Sequence, residues 1–453
     1  MELNSFQALK KASDLCNIEF VSGYMGYIAS NFLAQFPNVT QAINESTAIA
    51  MAHVNSYLGK RSLVIMKNAG LNQGALPFRN ACDLGVNAAM IIIFSDDVTA
   101  DMSENQQDSR RYYDIGKTIL FEPKSPGELY QMIKEACKLS EKIKLPILIR
   151  VTNALDNKHW MEEIPEEKLK ITRIKRAKRD QSSWMLHPKT ADGLAAKHKK
   201  KFKEILKYVE KSRFNTILGN GNPICIYSQA LVESEKEKLA DFKTIIKIGT
   251  FPLPQKKIQS RIKNNKNVTI IDTGEGFLEE EIKESYGKNL KVTEIVRNYP
   301  PLEINQHLAY NFLWKLISGR KPSFVCGDFG SYTLSKGSIL EYSLFYGAAI
   351  ASGVGAALAK EKKVYVVIGE GAFTSGMENL FEAIRKKVKI NIVLIKNKGI
   401  SDKEPINLDI LEICKQKGID YVKEVDYTQL TNKHLEQMEK VKGVSILIID
   451  YSD

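Results

Sequence analysis

Short apolar runs alternate with amphipathic segments along most of the chain. In the first part, strand-like runs occupy residues 63–66, 90–94 and 145–149, and an amphipathic helix is predicted over residues 126–144. Fully apolar strands of this length are typical of a parallel sheet that helices cover on both faces. The pattern therefore predicts an α/β fold built from alternating strands and helices.

The same alternation predicts where the domains begin and end. A smaller α/β segment has strand-like runs at residues 223–227, 244–248 and 268–272, and Pro300-Pro301 marks the next boundary. The chain is long enough for two or three domains. The predicted order is a doubly wound parallel-sheet domain (1–155), a polar, basic connector (156–213), a smaller α/β domain (214–297) and a second doubly wound parallel-sheet domain (298–453).

The distributions of charge and of apolar residues bear on whether the protein binds nucleic acid or contacts a membrane. The net charge is +12, and residues 168–213 alone carry sixteen Lys or Arg against four Asp or Glu. Few aromatic residues interrupt this run, so we interpret it as a solvated connector or exposed helix and expect no nucleic acid. The chain has no apolar stretch of about 20 residues and no signal-peptide pattern at Met1, which predicts a cytoplasmic protein without membrane contact.

The six cysteines argue against a bound metal cluster. Cys16, Cys82, Cys137, Cys225, Cys326 and Cys414 are far apart, and no C-x-x-C occurs. Zinc and iron–sulfur sites require several thiolates at close spacing. We therefore expect no iron–sulfur cluster and interpret the thiols as buried or incidental.

Two polar clusters end two buried strands near the carboxyl end of the chain. Gly369-Glu370-Gly371 follows the apolar run 364–368, and Asn397-Lys398-Gly399 follows the run 390–395. A helix predicted over residues 375–387 lies between them, with its apolar side formed by Met377, Leu380, Phe381 and Ile384. Such strand ends bind ligands in open α/β sheets. Glycines allow a phosphate to approach the backbone, and carboxylate and amide oxygens suit Mg²⁺.

This arrangement resembles the diphosphate-binding motif of thiamine diphosphate enzymes, in which Gly-Asp-Gly is followed some two dozen residues later by Asn. Asn397 lies at the corresponding spacing, whereas Glu370 replaces the usual Asp. Across nearly its whole length, the chain also resembles the large subunit of indolepyruvate:ferredoxin oxidoreductase and related 2-oxo acid oxidoreductases. That resemblance rests on Ser22–Gly26, Asn44-Glu45, Met66–Asn72, Ser103–Arg110, Ile248–Pro254, Gly276–Glu280, Gly327–Leu334 and Tyr346–Ala349.

The resemblance implies a thiamine diphosphate-binding fold with a pyrimidine-binding first domain, a transketolase-C-like middle domain and a diphosphate-binding last domain. It implies thiamine diphosphate and Mg²⁺ as cofactors, bound between the first and last domains. A homodimer is the default expectation, and a small partner subunit is a further one. The family's cysteine-rich segment after Pro-Pro is replaced here by Leu302 to Gln306, followed by the retained His307.

The resemblance also implies roles for individual residues. Glu45 is expected to bind the pyrimidine ring nitrogen, and His307 is either an acid–base or substrate-carboxylate partner, or a surface residue. Glu370, Asn397 and the carbonyl of Gly399 are the expected metal ligands. Arg110 and Arg111 are either partners of a substrate carboxylate or members of helix-face ion pairs. The expected cofactor-binding residues are Gly23, Tyr24, Gly70, Asn72, Asp328, Gly330, Ser331, Gly369, Gly371 and Ala372.

The function indicated is thiamine diphosphate-dependent decarboxylation of a small 2-oxo acid, of which an arylpyruvate is one example. The scattered cysteines favour a non-oxidative decarboxylase or carboligase. Two alternatives remain open: an oxidoreductase subunit that passes electrons to a partner, and a non-catalytic relative with a decayed cofactor site.

Overall fold

The computed structural model describes residues 1–97, 107–156, 158–165, 167, 172–231, 233–262, 267–272, 275–286, 291–295, 310–328, 330–335, 337–344, 346–397 and 408–451. The chain packs into two compact units, Met1–Pro301 and Leu302–Asp453.

The first unit contains fourteen strands and twelve α-helices among its described residues. The strands are β1 (Glu2–Leu3), β2 (Phe20–Gly23), β3 (Thr40–Gln41), β4 (Ser62–Lys67), β5 (Met90–Asp96), β6 (Leu120–Phe121), β7 (Ile147–Thr152), β8 (Glu162–Glu163), β9 (Thr216–Gly219), β10 (Ile224–Tyr227), β11 (Thr244–Lys247), β12 (Thr250–Phe251), β13 (Asn267–Ile271) and β14 (Lys291–Ile295). The helices are α1 (Ser5–Leu15), α2 (Tyr27–Leu33), α3 (Glu45–Tyr57), α4 (Asn68–Gln73), α5 (Ala75–Leu84), α6 (Tyr112–Gly116), α7 (Pro126–Ile143), α8 (Gln181–Trp184), α9 (Ala191–Lys211), α10 (Glu233–Lys238), α11 (Gln255–Ile262) and α12 (Phe277–Tyr286).

The main sheet of this unit has the strand order β12-β6-β7-β5-β4-β2-β3. Its neighbouring strands are parallel except β12, which is antiparallel to β6. Because side chains alternate along a strand, Leu63 and Ile65 pack with α1, α2 and α7, whereas Val64 and Met66 pack with α3 and α5. Burial of both faces explains why the strands are apolar throughout.

A smaller sheet has the order β14-β13-β10-β11-β9, with β9 antiparallel to β11. Apolar residues of this sheet, such as Ile226 and Ile270, belong to the same buried cluster as Val64 and Met66 of the main sheet. This shared core explains why residues 1–301 form one compact unit. The domain boundaries at residues 155, 213 and 297 remain predictions.

The basic segment contains the 21-residue helix α9. Leu194, His198, Ile205 and Val209 lie on its buried side, while Lys200 and most of its other lysines are exposed. Ile205 and Val209 belong to the cluster that includes α7. Part of this segment is therefore an exposed basic helix anchored to the unit by an apolar stripe.

The second unit has a five-stranded parallel sheet among its described residues, in the order β15-β16-β17-β19-β18. Helices α14 and α16 cover one face of this sheet, and α13 and α18 cover the other. The strands are β15 (Phe324–Gly327), β16 (Val364–Gly369), β17 (Ile390–Lys396), β18 (Tyr421–Asp426) and β19 (Val444–Asp450), and the helices are α13 (Asn311–Gly319), α14 (Ala349–Leu358), α15 (Glu370–Ser375), α16 (Glu378–Lys386), α17 (Ile410–Gln416) and α18 (Asn432–Lys440).

The single helix predicted between the two polar clusters is divided in the structure. Two helices, α15 and α16, occupy this segment, and α15 begins directly at Glu370. Leu380 and Ala383 form the buried face of α16, whereas Phe381 is 46% exposed with the Lys417 ammonium 5.4 Å from its ring centroid. The prediction that Phe381 belongs to the buried apolar side was wrong, because Leu380 and Ala383 are the residues of α16 that join the buried cluster of the sheet.

The predicted α/β class with parallel sheets is confirmed. Within the described parts of the chain, no helix has both the length and the apolar composition needed to span a bilayer.

Candidate functional site

Glu45 occupies the first turn of α3 in the first unit. The side chain of Asn44 caps this helix by accepting a hydrogen bond from the Thr47 backbone N–H at 2.9 Å. The helix therefore starts at Glu45, which favours an acidic residue there because of the helix dipole. The residue is only 9% exposed, so its carboxylate is held inside the unit rather than in solvent.

Gly70 of α4 lies directly against this carboxylate. A methyl group in place of the Gly70 hydrogen would lie 2.3 Å from Oε1 of Glu45, well inside van der Waals contact. Only glycine therefore leaves room for the Glu45 side chain in this position. The structure thus brings together two of the residues that the sequence singled out.

The contact between Gly70 and the Glu45 carboxylate predicts that Gly70→Ala lowers turnover. The added methyl group should displace the Glu45 carboxylate, and a displacement of about 1 Å can lower turnover roughly 100-fold. Steady-state kinetics would measure the loss. Gly355→Ala is the matched control, because a Cβ at that helical glycine meets open space and should leave turnover unchanged. Full turnover in Gly70→Ala would show that the Glu45 position is unimportant.

Gly23, Tyr24 and Asn72 lie near the same strand ends. Gly23 ends β2, and the Tyr24 backbone N–H donates to the Ile65 carbonyl of β4 at 3.2 Å. A Cβ at Gly23 would lie 2.2 Å from that carbonyl oxygen, so this close strand approach requires glycine. Asn72 is exposed on α4, and its amide pairs with Gln107 and with the Tyr112 hydroxyl.

Asn68 is a polar residue at this edge that the sequence prediction missed. It begins α4 immediately after β4, is fully buried, and its Oδ1 accepts a hydrogen bond from the Ala69 N–H at 2.8 Å. Its Nδ2 has no hydrogen-bond partner among the described residues. The signal available in the sequence was its place directly after a buried strand.

In the second unit, three neighbouring parallel strands end in predicted site residues. Asp328 follows β15, Glu370 follows β16 and Asn397 follows β17. Gly369 pairs with Ile395 in the ladder, so Glu370 and Asn397 extend from adjacent strands at the same edge. As expected, the predicted site residues of this unit therefore lie at one edge of its sheet.

Asp328 is a fully buried carboxyl group at this edge. Its Oδ1 accepts hydrogen bonds from the backbone N–H groups of Ala348 and Ala349, at 3.2 Å each, at the start of α14. Its Oδ2 has no partner among the described residues. Burial raises the pKa of this carboxyl group to about 7, despite the opposing hydrogen bonds from the backbone.

Tyr332 connects several of these positions, although it was not among the predicted site residues. Its hydroxyl donates to the Asp328 carbonyl at 2.7 Å, and its ring lies close to Gly330, where a Cβ would be 2.5 Å from Cε1. Ser331 is partly buried, and its hydroxyl lies 3.0 Å from the Tyr310 hydroxyl. Gly330 therefore belongs to a packed turn that positions the end of β15.

Glu370 is buried in the first turn of α15, together with Gly371 and Ala372. Asn397 is exposed at the end of β17, and the preceding Lys396 forms an ion pair with Glu424 at 2.8 Å. Within the described residues, no group of three or more His, Cys, Asp or Glu side chains is arranged to hold a metal ion. His307 and Gly399 lie outside the described residues.

Arg110 and Arg111 both form ion pairs in the first unit. The Arg110 guanidinium is 0% exposed, donates to Asp108 and Ser228, and contacts both Asp272 oxygens at 2.8 Å. Arg111 is exposed and pairs with Glu280. Of the two interpretations left open, the structure favours ion pairing over binding of a substrate carboxylate.

A pocket of about 430 Å³ lies between α3 and α5, with Trp184 of α8 also lining it. None of the predicted site residues lines it. It is lined by Ala50, His53, Val54, Tyr57, Pro77, Asn80, Ala81, Leu84 and Trp184. This pocket therefore does not mark the candidate site.

Comparison with known proteins relates part of the second unit to a described domain family. Residues 341–449 match the family described as "Thiamine pyrophosphate enzyme, C-terminal TPP binding domain". Indolepyruvate oxidoreductase subunit IorA of Methanothermobacter thermautotrophicus is 23% identical over 90% of this chain and 78% of its own length. The corresponding subunit of Thermococcus kodakarensis is 26% identical over 89% of this chain and 77% of its own.

The chain is thus similar over most of its length to indolepyruvate oxidoreductase subunits, and part of its second unit matches a thiamine diphosphate-binding domain.

The fold of the chain also resembles a solved structure, 2-oxoglutarate:ferredoxin oxidoreductase from Magnetococcus marinus. The TM-score is 0.51 and the identity 14%, over 67% of this chain and 63% of that chain. The chain thus spans less than two thirds of that protein chain, and the likeness concerns the fold alone. Glu370 and Asn397 both lie within the matched thiamine diphosphate-binding region.

Proposed function

We propose that the protein is a thiamine diphosphate- and Mg²⁺-dependent enzyme that removes CO₂ from a 2-oxo acid. The observation that carries this proposal is the place of Glu370 and Asn397, which extend from adjacent strands within the matched cofactor-binding region. When bound, thiamine diphosphate supplies an electron sink for decarboxylation.

The donor groups of the second unit fit a diphosphate held through a divalent cation. Glu370 supplies a carboxylate and Asn397 an amide oxygen, and hard cations prefer such oxygens. The carbonyl of Gly399 is proposed as a third ligand. Gly369, Gly371 and Ala372 would allow phosphate oxygens close to the backbone at the start of α15. The unpaired Oδ2 of Asp328, with Gly330 and Ser331 beside it, supports a polar contact with the cofactor.

In the first unit, Glu45 is proposed to act on the pyrimidine ring. Its carboxylate would accept a hydrogen bond from the protonated ring nitrogen and hold that proton during turnover. Gly70 makes room for the carboxylate, and Gly23, Tyr24 and Asn72 would shape the surrounding wall. His307 is proposed as a partner of the substrate carboxylate.

Two fates of the decarboxylated substrate have separate support. Similarity to the indolepyruvate oxidoreductase subunits supports an oxidoreductase that passes electrons to a partner chain, with an arylpyruvate among its substrates. The wide spacing of the six cysteines, without any C-x-x-C, supports a second candidate, a non-oxidative decarboxylase or carboligase that needs no cluster. A homodimer is proposed in either case.

The test is CO₂ release from a panel of 2-oxo acids, with and without an artificial electron acceptor. Release that requires the acceptor would support the oxidoreductase. Release without it, accompanied by an aldehyde or a carboligation product, would support the non-oxidative enzyme. If thiamine diphosphate fails to bind and no CO₂ forms, the chain is a non-catalytic relative and the proposal is wrong.

Asn397→Ala is expected to weaken Mg²⁺-dependent binding of thiamine diphosphate. Removing an oxygen ligand should lower affinity by at least about tenfold, since even the loss of a ligand's supporting partner costs that much. Titration calorimetry with and without Mg²⁺ measures the change. Asn432→Ala, an exposed position at the start of α18, is the control and should bind normally. Equal affinity in the two variants, or binding without Mg²⁺, would contradict the metal assignment.

A further inference from the structure

The pocket between α3 and α5 has no role in the proposed decarboxylation. Its volume of about 430 Å³ lies within the range of small-molecule sites in proteins, roughly 300–1000 Å³. Apolar side chains of both helices, among them Val54, Ala81 and Leu84, form part of its wall. A small organic molecule with a mainly apolar surface therefore suits this pocket.

Three side chains with flat rings line the pocket together. His53 and Tyr57 lie one helical turn apart on α3, and both are close to Trp184 of α8. The ring centroids of Tyr57 and Trp184 are 5.0 Å apart in an edge-to-face arrangement, and those of His53 and Trp184 are 6.3 Å apart. Burial lowers the pKa of His53, which keeps its imidazole neutral at pH 7. Such rings favour a ligand that is itself aromatic.

Hydrogen bonds hold these rings in place. The backbone N–H of Ala177, in the segment that leads to Trp184, donates to the Tyr57 carbonyl at 2.9 Å. The imidazole Nε2–H of His53 donates to the Gly85 carbonyl at 2.9 Å. Walls that are ordered before a ligand arrives lower the entropic cost of binding.

Basic side chains stand beside two of the rings. The exposed guanidinium of Arg176 lies 5.4 Å from the ring centroid of Tyr57. The ammonium group of Lys197, which is also exposed, donates to the hydroxyl of Ser183 at 3.1 Å, directly before the tryptophan that lines the pocket. Both cations belong to the basic segment 168–213. They favour a ligand with negative charge.

We propose that this pocket binds a small aromatic carboxylate. Its ring would lie among His53, Tyr57 and Trp184, and its carboxylate would approach Arg176, since a guanidinium and a carboxylate form charge-assisted hydrogen bonds. The basic segment thereby gains a role, because it supplies one of the rings and both cations. Binding here needs no thiamine diphosphate, so the proposal stands or falls separately from the proposed decarboxylation.

Isothermal titration calorimetry of the full-length protein with 2-naphthoate tests the site. We expect one molecule bound per chain. Two reference compounds separate the contributions of ring and charge. 2-Naphthalenemethanol keeps the rings without the charge and should bind roughly two- to fivefold more weakly, the contribution of an exposed ion pair. Hexanoate keeps the charge without the rings and should bind at least about tenfold more weakly.

Variants of the lining residues locate the bound molecule. Trp184→Ala should weaken the binding of 2-naphthoate roughly tenfold, because a ring contact is lost. Arg176→Met should weaken it roughly two- to fivefold. Trp160→Ala and Arg213→Met are matched controls that should bind as the wild type does. Trp160 is also half-buried but does not line the pocket, and the Arg213 guanidinium lies over a different ring, 5.1 Å from the centroid of Phe214.

Ala50→Trp blocks the pocket without removing a core contact, because Ala50 is exposed on α3 and lines the pocket. It should bind no 2-naphthoate while its circular dichroism stays that of the wild type. Absence of binding to the wild type, or equal affinity in the wild type, Trp184→Ala and Ala50→Trp, would overturn the proposal. If the wild type binds none and Ala50→Trp instead disrupts a dimer in analytical ultracentrifugation, the pocket is a contact between copies of the chain and the proposal is wrong.

Discussion

Replacing Glu45 with glutamine is expected to lower turnover by roughly 100- to 10,000-fold, the range associated with loss of an acid–base group. The amide keeps the volume of the carboxylate, so the contact with Gly70 and the cap of α3 by Asn44 should survive. A neutral amide, however, does not stabilise a protonated ring nitrogen as a carboxylate does. The fall should therefore appear in turnover much more than in stability.

The decisive measurement is hydrogen–deuterium exchange at C2 of bound thiamine diphosphate, followed by proton NMR. Exchange should slow in Glu45→Gln, while cofactor affinity changes much less, because the proposed phosphate and metal contacts lie in the second unit. Glu378→Gln is a matched control, since Glu378 also occupies the first turn of a helix but is exposed. Unchanged exchange in Glu45→Gln with cofactor bound would remove Glu45 from the mechanism and favour a non-catalytic relative.

Arg110→Met is expected to reduce the free energy of unfolding by about 3–5 kcal/mol, the cost of breaking a buried ion pair from one side. Burial alone would lower the pKa of the Arg110 guanidinium, but the carboxylates of Asp108 and Asp272 raise it well above its ordinary value. Without this cation, those two buried carboxylates repel each other and lose the guanidinium that donates hydrogen bonds to both. The loss of stability should be greatest where the main sheet and the smaller sheet meet.

Urea unfolding at neutral pH measures this loss. Arg111→Met is the control, because its guanidinium is 55% exposed and its pair with Glu280 is worth at most about 1 kcal/mol. Burial raises the pKa of Asp272, so the deficit of Arg110→Met should shrink as the pH falls and this carboxyl group takes up a proton. Equal stability of the two variants would mean that the buried cluster contributes little to folding.

The apolar pattern determined the main strands, because a strand buried on both faces has to be apolar throughout. The runs at residues 63–66, 90–94, 364–368 and 390–395 all lie within observed strands. Since strands in a parallel sheet end at a common edge, the polar clusters that follow them were expected to gather, and Glu370 and Asn397 do extend from adjacent strands.

The tertiary structure decided which polar side chains are buried and which partners they have. The sequence left Arg110 open between substrate binding and ion pairing, because Asp272 lies far away along the chain and meets it only when two sheets pack together. The pocket that Trp184 lines arises in the same way, since α8 is distant along the chain from α3 and α5. The exposure of Phe381 also required the fold, since a rotation of less than one helical turn determines which residue meets the sheet. Local spacing thus fixed the strands and their ends, while packing between distant segments fixed burial, charge pairing and the surroundings of individual groups.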